Sequence, residues 1–200
     1  MILSIRSALL ALLLVLSITC VSCAFAGLTN GTTNDSSTQP SDQNLNTQKP
    51  TTTPLPPPSG FVNDFANVFT PESKQQLETV LDELKSKSEI EFAVVTVETT
   101  GGRAIADYSL ALAKEWGVGP KDTSRGGGLL LLVAIKDRQW RLQVSRSLER
   151  DLPDDVTKVL GDSSTPLYRQ GKYDEGIKHY VKGIISKLEE MRKFKLSHQL

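Results

Sequence analysis

Carboxylates carry most of the chemistry this sequence offers. Asp64 interrupts the apolar stretch FVNDFANVF, Asp122 precedes a run of three glycines, and Glu149, Asp151, Asp154 and Asp155 fall close together. Loop carboxylates beside rigid elements suit a hard divalent cation, Ca2+ or Mg2+, which takes oxygen ligands. The same residues also have an architectural use. Asp64 with Asn63 would cap local backbone, and the 149–155 group would open a helix and face solvent. The residue types alone leave both uses open.

Other chemistries find less support. Ser124 and Ser145 lie in no nucleophile elbow, and the two histidines, His179 and His198, fall on a helix surface and near the end of the chain. A serine–histidine triad needs a base within hydrogen-bond reach of its nucleophile, and this pattern does not offer one. Gly126, Gly127 and Gly128 resemble a phosphate loop only in composition. Phosphate cradles follow a strand and open a helix, whereas these glycines follow a helix and loop and open a strand. They are expected to give an unusual backbone path into a buried strand. Formal net charge is zero and no basic block precedes the last residues, so nucleic acid is not expected as a partner.

The amino terminus reads as an export signal. Arg6 supplies a thin positive region, Ala8 to Val15 an apolar core, and Ala24-Phe25-Ala26 a small-x-small cleavage site. The apolar core is short for a membrane span, which needs roughly 20 residues. Cys23 offers a second outcome, lipidation, although Cys20 stands three residues earlier where an aliphatic residue is usual. Both cysteines lie in this leader, so cleavage at Ala26 leaves no thiol for disulfides, zinc or catalysis. Residues 27–60 are rich in Ser, Thr, Asn, Gln and Pro and poor in aliphatic side chains, the composition of a disordered spacer with a stiff end at Pro56–Pro58.

Periodic sequence begins at Phe61 and must position the carboxylates. Thr70 caps and Pro71 opens a helix with Leu77, Val80, Leu81 and Leu84 on one face. IEFAVVTVETT reads as a strand covered on both faces, and Ile105, Tyr108, Leu112 and Trp116 line a second helix. Leu129–Ile135 and WRLQV form an antiparallel hairpin about KDRQ, with Trp140, Leu142 and Val144 inward and Arg141 and Gln143 outward. Pro153 starts a short helix with Val156, Val159 and Leu160 inside, and a last helix from Asp174 to Met191 carries Ile177, Val181, Ile184 and Leu188. The sum is one α/β domain over 61–190, a compact sandwich with a central mixed β-sheet flanked by helices, followed by a flexible basic tail at 191–200.

Residues 61–190 resemble the TPM domain of exported bacterial proteins and of a thylakoid-lumen protein. The likeness rests on VNDFANVFTPE, ETVLDELKSKSEIEFAVVTV, GGRAIADYSLALAKEWGVGPKD, GGGLLLLVAIKDRQWRLQV, LERDLPDD and YRQGKYDEGIKHYVKGI, in consistent order. It implies an α/β sandwich. For function it implies accessory roles in photosystem repair or assembly and in receptor complexes, weak acid phosphatase activity, and divalent metal held by acidic loops. By position, the metal ligands it implies are Asp64, Asp122 and Glu149. One segment departs: relatives commonly read GYGLEG after the hairpin, and this chain reads SRSLER. Arg146 and Arg150 would crowd a cation there or favour an anionic partner. The C-terminal membrane span of many relatives is missing, so membrane association is expected through the N-terminus.

Two functions follow as expectations. The first is an exported, periplasmic or envelope-associated accessory domain that binds an envelope protein. The second is a weak acid phosphatase in which Asp64 and Asp122 hold a cation that activates water, while Arg146 or Arg150 steadies the anion.

Overall fold

The computed structural model describes residues 57–119 and 126–200. The expected export signal, Cys23, most of the expected spacer and Asp122 lie outside the described residues. The elements run β1 (Val62–Asp64), α1 (Pro71–Ser88), β2 (Ile90–Val97), α2 (Ile105–Trp116), β3 (Gly127–Ala134), β4 (Gln139–Val144), α3 (Asp154–Arg169) and α4 (Tyr173–Arg192). They build a four-stranded mixed sheet in the order β1-β2-β3-β4. The first three strands are parallel and β4 runs antiparallel to β3.

Alternation along the strands divides the core into two halves. Phe92, Val94, Leu129, Leu131 and Val133 point to one face, where α1 and α4 cover them with Leu77, Leu81, Leu84, Ile177, Val181, Ile184 and Leu188. Ala93, Val95, Leu130, Leu132 and Ala134 point to the other, under Leu112 of α2. The stripes expected on α1 and α4 are the stripes observed, and full burial of each such side chain contributes roughly 1.5–3 kcal/mol. Thr70 accepts the Ser73 amide at 3.1 Å and Pro71 occupies the first turn, as the sequence indicates. The parallel steps β1-α1-β2 and β2-α2-β3 advance in the same direction across the sheet with helices on opposite faces. Their hands therefore differ, and one of them is the rare left-handed type.

Three expectations change. β1 is a strand that the sequence reading passed over. It is three residues long, and its outer amides are closed by Glu78 of α1, which accepts from Phe61 N at 3.0 Å and Val62 N at 2.9 Å. α3 is a full 16-residue helix, and Val159 is exposed at 68%. Its buried face is Thr157, Gly161 and Ser164, because the Trp140 ring occupies the space where a side chain at Gly161 would stand. Finally, Gln143 is not free on the outer face: its amide donates to Ser109 Oγ at 2.8 Å and ties β4 to α2.

The last residues lie against α1 and α4. Leu196 is buried and its N–H donates to Glu189 Oε1 at 2.7 Å, while Ser197 N and His198 N donate to the Glu83 carboxylate at 2.7 and 2.9 Å. Among the described residues, no helix is long and apolar enough to cross a membrane.

Candidate functional site

Asp64 ends β1, level with Thr96 in the neighbouring strand. Its Oδ1 accepts the Thr96 hydroxyl and the Val68 amide at 3.1 Å, and its Oδ2 accepts the Phe69 amide at 3.0 Å. Thr96 Oγ1 in turn accepts Ala66 N at 3.3 Å. The pair closes the loop in which Asn67 sits at φ 54°, a left-handed conformation that Asn tolerates better than most residues. Asp64 therefore fills the capping use. Asn63 is also spent locally, accepting from Ser59 N at 2.8 Å and donating to the Gly60 carbonyl at 2.9 Å.

Glu149 lies elsewhere. Asp64 is level with Thr96, and so across the sheet with Val133 and Trp140. Val144, the last residue of β4, is level with Leu129 and Phe92. These rows are four residues apart, about 13 Å along the strands, and β1 and β4 are opposite edges, about 14 Å across. Asp64 and Glu149 therefore belong to different corners of the sheet. As one coordination shell, the described members of the expected metal set do not fit. Among the described residues, no group of three or more His, Cys, Asp or Glu side chains is placed to hold a metal ion.

Glu149 instead shares a turn with the two arginines. The turn leaves β4 through Ser145, whose N–H donates to the Gly128 carbonyl at 2.9 Å and whose Oγ accepts Gly128 N at 3.0 Å. Ser145 Oγ and Ser147 Oγ are 3.0 Å apart, so Ser145 ties the turn to β3 and Ser147 braces Ser145. Gly128 itself is required by approach rather than by an unusual φ. A Cβ there would run into the Val118 carbonyl, so the chain entering β3 passes backbone against backbone. Gly119 and Gly126, the described residues on either side of Asp122 in the sequence, stand at this end of the sheet and not at the Asp64 end.

Beyond the serines a cleft of about 560 Å³ is lined by Arg146, Ser147, Glu149, Arg150, Asp151 and Arg192. Arg192 is engaged: its Nε donates to Asp151 Oδ2 at 2.6 Å and its guanidinium also reaches the Ser147 carbonyl at 3.2 Å. Arg146 and Arg150 are exposed, and among the described residues their side chains have no hydrogen bond or ion pair. Three guanidiniums face two carboxylates here, one of which is already consumed. The cleft therefore favours an anion over a cation. Its described lining is suited to holding an anion through guanidinium hydrogen bonds. Sequence reasoning named Arg146 and Arg150 but missed Arg192 and Thr96. The only sequence signal for Thr96 was a lone hydroxyl inside the apolar run VVTV, and Arg192 looked like an ordinary helix-end cation.

Two solved structures share this architecture. The N-terminal domain of a P. gingivalis protein is 28% identical, with a TM-score of 0.60 over 70% of this chain and 88% of that one. The N-terminal domain of the cg2496 protein of Corynebacterium glutamicum is 12% identical, with a TM-score of 0.51 over 71% of this chain and 86% of that one, a likeness of fold alone. No curated protein matches this sequence. The model of the TPM domain matches residues 62–187, from the first residue of β1 to the last turns of α4. With more than half of its length covered in one match, this chain belongs to the TPM domain family.

Proposed function

We propose that this protein is an exported accessory domain that binds an anionic surface of a protein partner at the cell envelope. The observation that carries the reading is the pair of guanidiniums, Arg146 and Arg150, without a partner among the described residues, on a turn tied to β3 through Ser145. A guanidinium binds carboxylates or phosphates in a planar, bidentate way, and its rigid fork loses less freedom per hydrogen bond than a lysine does. In this reading the leader at 1–26 directs export, with cleavage after Ala26 or lipidation at Cys23, and the spacer at 27–60 lets the domain reach a partner away from its anchor.

The test uses the mature chain against an envelope extract. The reading expects one retained protein whose capture falls steeply with salt and disappears in the Arg146→Ala/Arg150→Ala variant. Retention that is indifferent to both would overturn it. The competing reading, a metal-assisted acid phosphatase, is addressed on the same samples with 4-nitrophenyl phosphate. Hydrolysis that a chelator abolishes and Ca2+ or Mg2+ restores would favour that reading instead.

A further inference from the structure

A second cleft opens at the opposite end of β4, between the β3–β4 turn and the α3–α4 connection, and encloses about 620 Å³. Its walls are aromatic. Tyr168 and Tyr173 stack with centroids 5.8 Å apart and planes at 21°, and Trp140 stands edge-on to Tyr180 at 5.2 Å. Tyr173 is fixed by its hydroxyl, which donates to the Ile135 carbonyl at 3.4 Å. The Tyr168 hydroxyl is buried without a hydrogen-bond partner. Burial, and then the neighbouring Tyr180, push its pKa up, so it remains a donor.

The charge at this cleft is one-sided. Arg138 and Arg169 line it, both exposed and, among the described residues, both without a side-chain partner. Arg138 holds φ 53° at the turn, a conformation that costs a long side chain energy and fixes where the arginine leaves the backbone. Four carboxylates of the β3–β4 turn and of the facing parts of α3 and α4 are already engaged. Asp137 accepts from Thr99 Oγ1 and Thr100 N at 2.8 and 2.7 Å, Asp162 pairs with Lys158, Asp174 faces Lys178 Nζ at 3.0 Å, and Glu175 pairs with Lys172. The C-terminus of α3 and the N-terminus of α4 meet here, so their dipole ends oppose each other and leave the arginines to set the sign.

The geometry points to a binding site for a small organic anion with a flat apolar body, an aryl carboxylate or aryl phosphate, its ring against Tyr168, Tyr173 and Trp140 and its charge between Arg138 and Arg169. The volume is that of an ordinary small-molecule site, and apolar walls with a few convergent polar groups are the usual composition of one. No general base or metal-ligating group joins the arginines, so the site binds without turning over its ligand. It is independent of the Arg146/Arg150 turn, from which β4 separates it.

The full chain can be titrated with phenyl phosphate, benzoate and inorganic phosphate while amide and indole resonances are followed by NMR. The two tryptophans provide an internal control, because Trp140 lines the cleft while Trp116 packs against Phe65 on the other face of the sheet. Saturable movement of the Trp140 indole but not the Trp116 indole is expected with at least one of the aromatic anions, and inorganic phosphate should bind at least about tenfold more weakly. Arg138→Ala/Arg169→Ala should reduce affinity by about tenfold or more while leaving the rest of the spectrum in place. Which aromatic anion binds tighter distinguishes a carboxylate from a phosphate ligand. The inference is overturned if neither aromatic anion moves Trp140 at millimolar concentration, if the double variant binds as the wild type does, or if inorganic phosphate binds equally well.

Discussion

The two ends of the sheet treat charge in opposite ways. At the β1 end the Asp64 carboxylate accepts from three donors of its own chain, and Glu78 accepts from two more. At the far end of β4 the Arg146 and Arg150 guanidiniums donate to no partner among the described residues. A charge already matched by backbone amides holds a loop shape, and drawing it to a ligand would leave those amides unmatched. A charge held on a rigid turn with no internal partner has only solvent to lose. The comparison separates the carboxylate that looked most chemical in the sequence from the residues with capacity to bind.

Removing the matched carboxylates should break the first half of that contrast. Asp64→Ala leaves Val68 N, Phe69 N and the Thr96 hydroxyl without their acceptor, and should lower stability by about 2–4 kcal/mol, read from the urea midpoint. Asp64→Asn retains part of the acceptor set and should lose less. If Asp64→Ala were neutral in stability, Asp64 would be free for a ligand and the contrast would fail. Glu78→Ala comes next, at about 1–3 kcal/mol, because it unpairs only two amides of the same short edge, Phe61 N and Val62 N.

These effects also show what the sequence could and could not reveal. The stripe Leu77, Val80, Leu81, Leu84 and the hairpin around KDRQ depend on local periodicity, which is written in the residues themselves. β1 was invisible because three residues hold no period, and its strand character comes from pairing with Val94–Thr96. The inner face of α3 was only partly legible: Leu160 packs against the core as expected, but Val159 is exposed, and the contact of Gly161 with Trp140 is made by a residue with no hydrophobic signal. At the site, Asp64 was legible as unusual, but whether it caps or ligates depended on Thr96, thirty-two residues away. Arg146 and Arg150 were legible as departures from the family pattern. Their lack of partners is a property of the folded turn.

A smaller effect separates a third group of matched carboxylates, those that hold the chain end. The Glu83 carboxyl is held far below its ordinary value of 4.5, first by Lys87 and then by the His198 and Ser197 amides. For Glu189, burial alone would raise the pKa, but the Leu196 amide and Lys195 outweigh it and the net direction is down. A group whose folded pKa is depressed adds stability above its unfolded value and loses it as pH falls through the folded one. Docking of residues 196–198 should therefore be constant from neutral pH to about the ordinary glutamate value and weaken only in stronger acid. Amide resonances of Leu196, Ser197 and His198 followed against pH would check this, and Glu83→Gln should loosen the segment at neutral pH. Release of the segment between pH 7 and 5 would contradict it.

The smallest expected effect on stability is the most informative one. Arg146→Ala/Arg150→Ala removes two exposed side chains that touch no partner, so stability should stay within about 0.5 kcal/mol of the parent. Removing two like charges near Arg192 leaves the Arg192–Asp151 pair and the Ser145–Gly128 bonds intact. A neutral result in the urea titration combined with loss of partner capture would place the two arginines wholly in recognition. A loss of stability as large as that of Asp64→Ala would instead show that they stabilise the turn, and the distinction between the two ends of the sheet would disappear.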